Sequence, residues 1–79
     1  MTNEQMMRWE TSTRYYIARL QVNLFRDWEV MLTWGNKGTN CGRVQVHPVE
    51  TYEQGMHRIK QVARRRWQRG YNLITQVIA

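Results

Sequence analysis

The sequence predicts an α+β fold: a small antiparallel sheet in the order β-β-β-α-β, with one helix packed across a face. Three observations predict it. Stretches 13–23, 28–34 and 43–49 alternate apolar and polar residues at period two. Stretch 52–69 instead repeats apolar residues at three- and four-residue spacing. The connection between the first two strands is too short for a crossover, so those neighbours must be antiparallel.

Residues 1–12 are polar and lack periodicity, and read as a flexible N-terminal tail before a single domain over 13–79. In "TRYYIARLQVN", Tyr16, Ala18, Leu20 and Val22 share one face, and Tyr15, Ile17, Arg19 and Gln21 the other. The Tyr-Tyr-Ile start favours a strand over a helix. "WEVMLTW" places Trp28, Val30, Leu32 and Trp34 on one side. In "RVQVHPV", Val44 and Val46 oppose Arg43, Gln45 and His47, and Pro48 ends the ladder because it lacks an N–H. Thr51 and Gln54 have the spacing of a capping box. Tyr52, Met56, Ile59, Ala63 and Trp67 then mark the buried face of a helix, and Gly70 supplies its left-handed stop. "YNLITQVI" reads as a last strand.

The chain has 79 residues, so its core is thin, and its nine aromatic residues carry much of the burial. Twelve cations face six carboxylates, for a net charge of +6. Ten of the twelve are arginine, with Lys37 and Lys60 the two lysines. Arginine binds phosphate bidentately and stacks on flat rings, so this balance points to a polyanion, nucleic acid foremost. A lone cysteine, Cys41, forms no internal disulfide and suits a reducing compartment. With no signal-like apolar run, the expected location is the cytoplasm, or the nucleoid if the partner is DNA.

Catalysis finds little support. The six carboxylates form no pair at a useful spacing, and His47, His57 and Cys41 show no metal-ligand pattern. No enzyme activity, cofactor or metal is expected. Two basic features remain. "WGNKGTNCGR" (34–43) matches no phosphate-loop motif, and a plain hairpin loop accounts for Gly35, Gly38, Asn40 and Gly42 as positive-φ positions. A plain loop does not account for Trp34 at its edge or for Lys37 and Arg43. The second feature is the helix. Arg58, Arg65 and Arg69 share one stripe, and Lys60 and Arg64 lie on the opposite flank. Arg66 falls beside the apolar face, where its stem packs and its head emerges. No acid follows Glu53, so these cations lack an acidic i±4 partner.

Two quoted runs, "RYYIARLQVNLFRDWEVMLTWG" and "RRRWQRGY", resemble the WGR domain in its small bacterial members, over about residues 14–73. The order carries the resemblance: an aromatic-rich strand, a Leu-Phe turn, a strand ending in Trp-Gly, then a helix ending in basic residues and Gly-Tyr. It implies a small antiparallel sheet with a packed helix. It also implies nucleic-acid binding, because in poly(ADP-ribose) polymerases the domain binds DNA near a break and relays that event to a catalytic region. No ADP-ribosylation is implied for a chain without that region. Trp34 and Gly35 match the motif, whereas Asn36 stands where the family has arginine. The resemblance implies that Trp34 lies against a DNA end; with Asn36 in the arginine's place, either Lys37 or Arg43 replaces the missing charge or end recognition is lost.

The expected function is a noncatalytic nucleic-acid-binding module, for DNA rather than RNA. The expected contacts are Trp34, Gly35, Asn36, Lys37, Arg43, Arg58, Arg64, Arg65 and Arg69. The alternative is a protein-interaction or regulatory module that does not bind nucleic acid. No membrane partner is expected, because the helix lacks a broad exposed apolar face.

Overall fold

In a computed structural model, residues 4–39 and 42–78 are described. Five strands and one helix follow in the order β1 (Gln5–Glu10), β2 (Arg14–Val22), β3 (Trp28–Asn36), β4 (Gly42–Pro48), α1 (Tyr52–Gln68) and β5 (Asn72–Ile78). The strands form one antiparallel sheet in the spatial order β4-β3-β2-β1-β5. This is the expected α+β architecture, with one added strand.

The added strand corrects the reading of residues 1–12 as a loose tail. Residues 5–10 pair with β2 on one side and with β5 on the other, so this segment lies inside the sheet. Trp9 is only 3% exposed. Its burial anchors a segment that is otherwise weakly apolar. Cys41 and Asn40 lie outside the described residues.

The faces of β2 and β3 follow the alternation. Ala18 and Leu20 from β2, Val30 and Leu32 from β3, Trp9 from β1 and Ile59 from the helix form the core. The helix crosses β2 and β3. At its start, Thr51 Oγ1 accepts from the Gln54 N–H at 3.1 Å. The Gln54 side-chain Oε1 reaches back one residue further than a simple capping box, accepting from the Glu50 N–H at 2.9 Å. At its end, the N–H of Tyr71 donates to the Arg66 carbonyl and that of Gly70 to the Trp67 carbonyl, with Gly70 at φ 81°. This double bond pattern satisfies the orphan carbonyls of the last turn.

Gly55 is buried under Leu20. A Cβ built there would overlap the Leu20 side chain, so the glycine lets the helix sit low on the sheet. Trp67 departs from its expected place in the core and is 78% exposed. Ile59 points into the core. At about 100° per residue, Arg66 falls about 20° from its direction and Trp67 about 80°. The core slot in the last turn therefore goes to Arg66.

Candidate nucleic-acid interface

Trp34 is the last aromatic on the inward face of β3. Its ring stacks on Tyr16 of β2 with centroids 5.7 Å apart and planes 13° apart. From the helix, the Arg66 guanidinium lies 4.2 Å from the Tyr16 ring and 4.9 Å from the Tyr71 ring. The result is an aromatic column in which Trp34 stacks on Tyr16, Tyr71 meets Tyr16 edge-on with planes 79° apart, and Arg66 lies against both tyrosines. Arg66 Nε is buried and has no hydrogen-bond partner among the described residues. Each cation–π contact is favourable by about 0.5–2 kcal/mol, depending on desolvation, and together they hold the planar cation against the two tyrosine rings. Burial pushes the Tyr16 phenol above its usual range, against the pull of Arg66 and Arg58, so its hydroxyl stays neutral near pH 7.

Three shallow depressions meet at this column. Arg58, Arg65 and Gln45 rim the first, over Tyr16 and Leu32, with Arg66 at one side. Trp34, Gly35, Asn36, Arg43, Arg14 and Tyr71 line the second. The hydroxyl-bearing turn Thr11–Thr13 lines the third with Arg14, Arg66, Arg69 and Tyr71. Arg66 is common to the first and third, and Arg14 and Tyr71 to the second and third. The three depressions therefore adjoin as one trough, from the helix flank to the open end of the β2–β3 hairpin beside the β3–β4 connection, with six arginines along it.

Charge in the trough is not neutralised by protein. Among the described residues, none of these six arginines has a carboxylate within ion-pair distance; the two ion pairs are Arg8–Glu10 at 2.8 Å and Lys37–Glu10 at 2.7 Å. Arg58 meets only the His47 ring, at 3.3 Å. Burial and then the nearby Arg58 hold that imidazole below its usual pKa, so it faces Arg58 uncharged at neutral pH.

Seven of the nine expected contact residues, Trp34, Gly35, Asn36, Arg43, Arg58, Arg65 and Arg69, line this trough. Two do not. Lys37 is held by Glu10. Glu10 lies beside Tyr15, on the sheet face away from the helix, and its carboxyl pKa is lowered by Lys37 and then Arg8. Arg64 is exposed and sits about 120° round the helix from Arg58. Sequence reasoning missed Arg14 and Arg66. Arg14 is the cross-strand partner of Asn36, so the β2–β3 register sets a cation opposite the motif position that lacks one. The hairpin pattern held that information; the motif alone did not.

The glycines of 34–43 divide between shape and packing. Among those described, Gly38 has positive φ, at 78°, while Gly35 and Gly42 are extended and face each other across β3 and β4. The expectation of positive φ at Gly35 and Gly42 therefore fails. A Cβ on Gly42 would come within 2.6 Å of the Tyr15 hydroxyl, so close packing is the reason for glycine there.

The family model for the WGR domain matches residues 2–77. The chain belongs to the WGR domain family. WGR domains are small binding-type domains, associated with nucleic acid in proteins related to poly(ADP-ribose) polymerases. The match includes the segment that forms β1, in agreement with its place inside the WGR sheet. No curated protein and no solved structure matches the chain significantly. Among the described residues, no group of three or more His, Cys, Asp or Glu side chains is placed to hold a metal, and no helix is long and apolar enough to cross a membrane.

Proposed function

We propose that this WGR domain is a noncatalytic module that binds nucleic acid, duplex DNA in particular, along the arginine trough. The carrying observation is the convergence of six arginines without carboxylate partners on one trough that ends at Trp34. The arginines neutralise phosphates, and sequence preference is weak because phosphate contacts carry no base information. Tyr16 covers one face of Trp34, and the part of the indole that lines the trough meets a sugar or an exposed base plane. Arg14 takes the role of the cation that Asn36 does not supply. Such a module acts where nucleic acid is accessible, in the cytoplasm or on the nucleoid of a bacterial cell.

Titration of labelled intact and nicked duplexes by fluorescence anisotropy tests this reading. With six phosphate contacts the log–log salt slope is about −5, and affinity falls about a thousandfold between 50 and 200 mM salt. Nicked duplex binds more tightly than intact duplex. Absence of binding at about 50 mM salt would overturn the reading.

A protein-docking role has one observation of its own. The turn between β2 and β3 presents Leu24 and Phe25 at 98% and 83% exposure. The turn is fixed by Asn23 Oδ1, which accepts from the N–H of Phe25 and of Asp27. This tip lies at the opposite end of β3 from Trp34, so the two roles are compatible.

A further inference from the structure

The helix carries two cationic stripes, and only one of them faces the trough. Arg58, Arg65 and Arg69 form the first, on the side where Arg58 reaches His47 of β4. Lys60, Arg64 and Trp67 form the second, at i, i+4 and i+7, which superpose on successive helical turns. At about 100° per residue the two stripes are centred about 150° apart. His57, Gln61 and Gln68 make the ridge between them, which carries no lysine or arginine. The second stripe is therefore a separate surface, turned away from β4.

Among the described residues, nothing gives this composition a structural use. Lys60, Arg64 and Trp67 are all exposed, Trp67 to 78%. Neither cation has an acid three or four residues away, and neither has a carboxylate within ion-pair distance among the described residues. The nearest acid on this flank, Glu53, is two turns before Lys60. A large aromatic exposed beside two unpaired cations loses apolar burial and gains like-charge repulsion. Both costs are offset by a polyanion with flat rings, because cations meet phosphates and the indole stacks on a base or sugar. An anionic membrane fits less well, since the stripe offers one large apolar side chain, not a broad apolar face.

We infer that Lys60, Arg64 and Trp67 form a second nucleic-acid contact, so that one WGR domain holds two nucleic-acid segments on opposite flanks of one helix. The inference rests on the trough reading, and the experiment separates the two. Anisotropy measures binding of one labelled duplex. In parallel, beads bearing a tethered duplex are tested for capture of a second, fluorescent duplex by the full chain. Wild type binds and captures. Arg64→Gln with Trp67→Ala keeps affinity for a single duplex within about threefold and lowers capture at least tenfold. Both positions are exposed, so the thermal midpoint moves little. If wild type binds a duplex but captures no second one, the second contact is wrong and the trough stands. If the double variant captures as well as wild type, a self-associated chain is doing the bridging and the second contact is again wrong. If single-duplex binding is absent, the trough reading falls and takes the second contact with it. Capture of anionic vesicles in place of the second duplex, lost in the same variant, assigns the stripe to lipid and overturns the inference.

Discussion

Arg65→Glu combined with Arg69→Glu lowers affinity for duplex DNA at least a hundredfold at about 100 mM salt. Two phosphate contacts are lost and two repulsions replace them. The log–log salt slope becomes shallower by at least about 2, because each lost contact releases one counterion fewer. Both side chains are exposed and neither has a carboxylate partner among the described residues, so folding is preserved. The change in net charge must be separated from the change in position. Arg19 is exposed and lies opposite Met31, on the sheet face away from the helix. Arg19→Glu makes the same net-charge change as Arg65→Glu, yet weakens binding by less than about threefold, since salt screens charges beyond about 10 Å. Equal losses for the two single variants, measured by anisotropy, would mean that net charge and not the trough governs binding.

Leu20→Ala destabilises the domain by about 2–5 kcal/mol. Leu20 has no exposure and lies between the sheet and Gly55. For 79 residues, total stability of about 4–12 kcal/mol is expected, so this one change consumes a large fraction of it. The same contact makes a sharper prediction about Gly55. In the wild-type background, Gly55→Ala gains about 1 kcal/mol of helix propensity and loses about 1–3 kcal/mol to overpacking against Leu20, for a net loss. In the Leu20→Ala background the clash is gone and the new methyl fills part of the space, so Gly55→Ala becomes stabilising. Urea denaturation of the four proteins reads this reversal of sign as a coupling energy. A Gly55→Ala effect of the same sign in both backgrounds would show that the helix does not sit on Leu20 as described.

The parts of the fold that could be read directly are those set by local pattern. Period-two alternation marked β2 and β3, and the cap residues Thr51 and Gly70 marked the ends of the helix. The strand β1 escaped because "QMMRWE" contains no β-branched residue and only Trp9 of it is buried. Its outer neighbour, β5, comes from the other end of the chain. That one omission also misplaced a site residue. Without β1 there was no Glu10 to pair with Lys37, so Lys37 read as a free cation. Arg14 and Arg66 escaped for a different reason. Neither belongs to the Trp-Gly motif or to the main cationic stripe; the hairpin register brings in one and an aromatic sandwich the other. Trp67 misled because its spacing from Ala63 fits a buried stripe, while the core direction set by Ile59 passes through Arg66.

Mapping duplex DNA onto the domain by nuclear magnetic resonance, with side-chain guanidinium and indole signals followed during titration, tests the trough most directly. The expected result is that Trp34, Arg14, Arg43, Arg58, Arg65, Arg66 and Arg69 shift first and together, while Arg19 and the Leu24–Phe25 turn stay still. Shifts centred on that turn or on Arg19, with the Trp34 indole unmoved, would contradict the account.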